Sequence, residues 1–184
     1  MPGTRTSVEF KPAFRFEAPA SWVPVDEQDD GYVISSGDNG VMGLQANPII
    51  ATNENDCVGL AAPNGATTVA GIIAALGSDP RFAATSPEPM TIGQYEGQFI
   101  DIGLDPTWTG TCKWSGGKPA AVMLTTQVYP GPFFGLVDPE RIRLIVLDIG
   151  DDVVSVSVNS RLVPEAESVV RSLKFEAAVP SPSG

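Results

Sequence analysis

Two apolar runs, Ile-Arg-Leu-Ile-Val-Leu-Asp-Ile over residues 142–149 and Val-Val-Ser-Val-Ser-Val over 153–158, flank the tripeptide Gly150-Asp151-Asp152. Short runs rich in β-branched residues and joined by a tight turn read as a β-hairpin, and these are apolar enough to lie centrally in a sheet. Whatever this chain folds into is built around that pair.

The remaining sequence supplies more strands and two helices. Residues 8–17 alternate, with Val8, Phe10, Pro12, Phe14 and Phe16 on one face and mostly charge on the other, which predicts a half-buried edge strand. A second hairpin is expected over 32–35 and 41–46, followed by an irregular acidic stretch over 47–65. Strands are expected at 90–92, 94–104 and 122–128, with loops over 105–119 and 129–137. The first helix is predicted where Val69, Ile72, Ile73 and Leu76 recur at helical spacing, capped by Thr67 or Thr68 and ended by Gly77 and Pro80. The second opens with Pro164 at its first position, has Ala166, Val169, Val170 and Leu173 as its buried stripe, and ends near Arg171 and Lys174. The sum predicts an α+β fold: an antiparallel sheet of about seven strands with two helices, or alternatively an all-β barrel with peripheral helices. One domain over 8–175 is expected, with a flexible segment at 1–7 and a tail or linker at 176–184.

Charge narrows the partners. With 22 Asp+Glu against 11 Lys+Arg the net charge is −11, which opposes nucleic acid and anionic lipid headgroups alike. The longest uncharged apolar stretch, 69–76, is eight residues, so no direct membrane insertion by this segment is expected. No apolar leader is present at the N-terminus, so an exported protein would have lost its signal or anchor. The chain has no histidine, which removes Ser-His-Asp and Cys-His nucleophilic sites, HExxH hydrolases and imidazole acid–base steps. Cys57 and Cys112 sit in polar, turn-rich surroundings and read as a pair. A bridge would imply an oxidising compartment, with two unpaired cytosolic thiols as the alternative.

Candidate sites are few. Ser115-Gly-Gly-Lys118 has the SxxK spacing, but its glycines and Pro119 read as a turn, whereas that chemistry needs a helix. Asp26, Asp29 and Asp30 beside Gly31 are weak candidates for a cation loop without EF-hand spacing, and a solvated loop is the favoured reading. Asp148, Asp151 and Asp152 read as turn residues. Trp108, Trp114, Tyr129, Phe133 and Phe134 lie in or beside two Gly/Pro-rich loops. They are the candidate ligand- or partner-binding residues, the alternative being that they cap the sheet as core. No catalytic residues, metal site or cofactor are expected.

Phe10-Lys-Pro-Ala-Phe-Arg-Phe16 with Pro19 and Trp22, Met90-Thr-Ile-Gly-Gln-Tyr-Glu-Gly-Gln-Phe-Ile-Asp101, Arg143-Leu-Ile-Val-Leu-Asp-Ile149 and Glu167-Ser-Val-Val-Arg-Ser-Leu-Lys-Phe175 carry a family resemblance over most of 8–175. The chain resembles uncharacterised bacterial extracytoplasmic and lipoprotein domains with a PsbP-like, LpqN-like α+β fold. The resemblance implies an antiparallel sheet with helices on its faces and roles in binding and assembly, and it strengthens the pairing of Cys57 with Cys112. It brings no catalytic residue, and a fold alone does not fix function. The expected function is a non-enzymatic cell-envelope binding module for a small ligand or an envelope protein. The alternatives are a structural or assembly domain of a larger envelope complex, or a carboxylate- or metal-dependent hydrolase.

Overall fold

The computed structural model describes residues 3–37, 41–126 and 133–176. Residues 142–148 pair antiparallel with 153–159, and Gly150 at the turn has φ of +85°, a conformation that a residue with a Cβ rarely adopts. Leu144 and Val146 point into one hydrophobic cluster while Ile145, Leu147, Val154, Val156 and Val158 enter another, so the hairpin is covered on both faces.

In chain order the strands begin with β1 (Gly3–Thr6), β2 (Phe14–Ala18), β3 (Val23–Glu27), β4 (Gly31–Ser35), β5 (Val41–Ala46) and β6 (Ile49–Thr52). A one-turn helix α1 (Glu54–Cys57), β7 (Leu60–Ala61), α2 (Val69–Ser78), β8 (Phe82–Ala84), β9 (Glu88–Ile92) and β10 (Tyr95–Leu104) follow. The chain closes with β11 (Ala120–Thr125), β12 (Phe133–Val137), β13 (Arg141–Asp148), β14 (Val153–Asn159), α3 (Val163–Arg171) and β15 (Lys174–Phe175). The central sheet runs β3-β4-β5-β14-β13-β10-β8, with β9 also paired to β10, and every pairing is antiparallel.

Two layers sandwich that sheet. On one face lie the small sheet β1-β2-β15 and α3, whose Ala166, Val169 and Val170 join Phe14, Phe16, Trp22 and Tyr32 in a shared core. Trp22 is fully buried and its indole N–H donates to Glu165 Oε1 at 2.8 Å, tying the chain's start to α3. On the other face lie α2 and the sheet β12-β11-β6-β7, where Ile72, Ile73 and Leu76 meet Ile100, Ile102, Met123 and Leu136. The Thr68 hydroxyl accepts from the Gly71 N–H at 3.2 Å and caps α2 as its sequence predicts.

The fold is α+β, with the two expected helices in place, but the expectation of about seven strands is corrected to fifteen in three sheets among the described residues. The predicted strand at 8–17 starts only at Phe14. The N–H groups of Val8, Glu9 and Phe10 converge on Glu27 Oε1, which takes them out of any ladder and leaves Val8 87% exposed. Gly3–Thr6, expected as flexible lead-in, is instead a strand paired with 15–18. The stretch 47–65 contains β6, α1 and β7, and 133–137 is the strand β12, not part of a loop. The expected tail lies, apart from Glu176, outside the described residues.

Candidate functional site

Arg141, Arg143 and Ile145 alternate onto the face of β13 that looks toward α3, opposite Gly103, Asp101 and Phe99 of β10. Arg143 sits within a mainly apolar strand because it is matched there. Its Nε and Nη2 donate to the two carboxylate oxygens of Asp101, each at 2.8 Å, and its guanidinium lies 4.4 Å from the centre of the Phe99 ring. Hydrogen bonds from Arg143, with its charge and that of Arg141, outweigh partial burial and hold the Asp101 carboxyl below the usual range. The same bonds raise Arg143, with Glu88 and Glu167 nearby adding to the effect.

Beside this cluster a cleft of about 400 Å³ opens between the sheet and α3. The short side chains of Val163, Ala166 and Val170 line it from the helix and Phe99, Ile145 and Val158 from the sheet, while Met90 and Thr91 of β9 form its outer wall. Ile145, Val158, Ala166 and Val170 are at most 2% exposed, so the floor is continuous with the hydrophobic core. The rim is polar: Arg143 on one side, and on the other Arg171, whose Nε and Nη2 both donate to Glu167 Oε1 one helical turn earlier. An apolar floor with a few placed polar groups is the usual anatomy of a small-molecule site.

The aromatic residues singled out in the sequence divide into separate places. Trp108 is half-buried against the α2 core, packs over Gly110 and donates its indole N–H to the Ala120 carbonyl at 3.0 Å. Phe134 also belongs to that core, its ring seated directly on Gly43 of β5. Trp114 and Phe133 stay together with ring centres 5.7 Å apart. Trp114 lies across Gly135, donates to the Cys57 carbonyl at 3.2 Å, and is 41% exposed. Beneath them Cys57 and Cys112 form a disulfide within a small core of Ala51, Ala120 and Val122. Tyr129 lies outside the described residues.

The other candidates do not line this cleft. Ser115 is buried, its hydroxyl 2.8 Å from the Cys112 carbonyl and 2.7 Å from that of Lys118, inside a turn closed by Gly116 and Gly117 with positive φ. Asp26 accepts from Gln28, and the carbonyls of Asp29 and Asp30 accept from Lys11 and Ala46. Among the described residues no group of three or more acidic or cysteine side chains could hold a metal ion.

No family model matches the chain, and no curated protein matches it. Among solved structures it is similar to a protein from Bacteroides thetaiotaomicron, 11% identical with a TM-score of 0.44, over 89% of this chain and 45% of that one. It is also similar to the solution structure of PsbP (CyanoP) from Synechocystis, 10% identical with a TM-score of 0.45, over 96% of this chain and 94% of that one. The chain thus spans less than half the length of the Bacteroides protein.

Phe99, Arg143, Glu167 and Arg171 of the cleft, and Asp101 beside it, are not among the candidate site residues of the sequence. One signal was available. Arg141 and Arg143 interrupt the apolar alternation of a strand that otherwise reads as central, and a charge there must be paired or must face a cavity.

Proposed function

We propose that this protein is a non-enzymatic binding module of an oxidising, extracytoplasmic compartment, and that the cleft under α3 holds the apolar part of a small ligand. The observation that carries this reading is the open cleft whose floor is made of core residues. Among its lining residues there is no pairing of a nucleophile with a base, and its charged groups form salt bridges. The Cys57–Cys112 bridge supports the compartment, since such bonds persist mainly outside the reducing cytosol. Among the described residues no helix is long and apolar enough to cross a membrane.

The test uses a neutral fluorescent apolar probe, N-phenyl-1-naphthylamine, titrated into the native protein and into Thr91→Trp, which blocks the cleft from its exposed wall. Saturable enhancement in the native protein, lost in the variant, is the expected outcome. No enhancement, or equal enhancement in both, overturns the reading.

A second reading rests on Trp114, which stays exposed although its N–H is bonded and its ring is packed on Gly135 and Phe133. A rigid aromatic anchored over a disulfide suits contact with an envelope protein, in a binding or an assembly role. A photo-crosslinking residue at position 114 would then yield a defined adduct in the native host, and one at exposed Val8 would not.

A further inference from the structure

A second basin lies at the end of the sheet where β13 begins and β14 finishes. Arg141 precedes Arg143 by two residues on β13 and so shares its face, about 7 Å away along the strand. Arg141 runs over Gly103, the residue paired with it on β10, where a Cβ would stand 3.0 Å from its Cγ and press on it. With Lys118, Asn159, Ser160 and Arg161 it lines a basin of about 260 Å³, which Asp138 and Glu140 also border. Ser160 and Arg161 of the basin belong to the turn Ser160–Leu162, which Val163 of the cleft follows, so both depressions border this turn.

The hydrogen-bonding balance of this joint surface is donor-rich. Arg143 and Arg171 satisfy their carboxylates through Nε and Nη2, and neither Nη1 has a protein partner among the described residues. Asp101 uses both oxygens, Glu167 uses one, and the Glu140 carboxylate accepts from the Val137 N–H. Lys118, Arg141 and Arg161 form no salt bridge among the described residues, in a chain of net charge −11. Three cations without a salt bridge thus share this basin with two carboxylates, Asp138 and Glu140, which leaves an excess of positive charge there in a protein that has few cations.

Building on the cleft reading, we propose that its ligand is a single-chain amphiphile with an anionic head. The chain lies on Ile145, Val158, Ala166 and Val170. The head takes the free edge of Arg143 and faces Arg141 and Arg161. Glu167, already facing Arg171 and close to Arg143, is the resident carboxylate with which the head competes.

Decanoate, decanol and decylammonium, each below its aggregation threshold, share one chain and differ in the head. Calorimetric titration of the native protein should give decanoate at least about tenfold tighter than decanol, with decylammonium weakest, a preference of the size expected for one charge-assisted contact. Arg141→Gln/Arg161→Gln, both exposed, should reduce the decanoate preference several-fold and leave decanol unchanged. Arg143→Gln should remove most of it. Should Arg143→Gln not fold, salt decides the same point: raised ionic strength should weaken decanoate and spare decanol. Equal binding of decanoate and decanol, or a preference that survives these variants and salt, overturns the head-group inference with the cleft reading intact. Failure of all three compounds together with the neutral probe overturns both.

Discussion

Arg143 and Asp101 face each other across β13 and β10 through two parallel hydrogen bonds of 2.8 Å. A carboxyl held below its ordinary range stabilises the fold above the unfolded value of about 4 and loses that contribution as pH falls through the folded value. Because the pair is about one-third exposed, its worth is screened to about 1 kcal/mol. Urea unfolding should therefore show Asp101→Asn about 1 kcal/mol less stable than the native protein at pH 7. The gap should narrow as pH falls below the unfolded value of about 4 and vanish once the folded carboxyl is protonated. A gap that does not change with pH would remove the ionic account.

Arg81 performs a comparable task on the opposite face. Burial disfavours the charge of Asp79, yet hydrogen bonds and charge from Arg81 leave that carboxyl below its usual range. The same guanidinium donates to Asn53 Oδ1 at 2.9 Å, the Ala51 carbonyl at 3.0 Å and the Val122 carbonyl at 3.1 Å, joining the end of α2 to β6 and β11. Arg81→Met should cost about 3 kcal/mol, because the nearly buried Asp79 loses its partner. Arg81→Lys should recover little of that, since one ammonium cannot reach four acceptors on different elements. Chemical denaturation of both variants measures this, and a lysine variant of native stability would contradict it.

The parts legible in the sequence are those fixed by local periodicity. The β13–β14 hairpin, the Thr68 cap with Ile72, Ile73 and Leu76, and the Ala166, Val169 and Val170 stripe all fall where their spacing puts them. What was not legible depends on partners distant in the chain. Residues 8–10 alternate like a strand, but Glu27 collects their N–H groups from 17 to 19 residues away. Gly135 gives 133–137 the look of a loop, though it is a place in β12 where Trp114 lies against the backbone. The cleft depends on how α3 packs on β14 and β2 and leaves Phe99 of β10 and Arg143 of β13 open beside it, a tertiary fact that the Arg143 interruption signals without locating.

Gly43 and Phe134 are matched across two sheets. A Cβ at position 43 would occupy the space of the Phe134 ring, in a strand paired on both sides that cannot easily move. Gly43→Ala should destabilise by about 2 kcal/mol, within the cost typical of overpacking. Phe134→Leu in that background should restore part of the loss, with a coupling energy of about 1 kcal/mol in a double-mutant cycle. Additive effects would show that the two residues do not share this space.

The disulfide and Trp114 form one unit. Cys57 and Cys112 are 55 residues apart, and closing a loop of that length should constrain the unfolded chain by about 4 kcal/mol. Reduction, or Cys57→Ser/Cys112→Ser, should then lower the melting midpoint by about 10 °C for a domain of this size. The local change should be readable as well. Trp114 donates to the Cys57 carbonyl from the same small core, whereas Trp22 is fully buried and Trp108 is held at Ala120. Loss of the bridge should therefore shift tryptophan emission to the red below the melting transition, and Trp114→Phe should abolish that shift. A midpoint displaced by less than about 3 °C, or a shift that persists in Trp114→Phe, would show that the bridge neither stabilises the fold to this extent nor positions that indole.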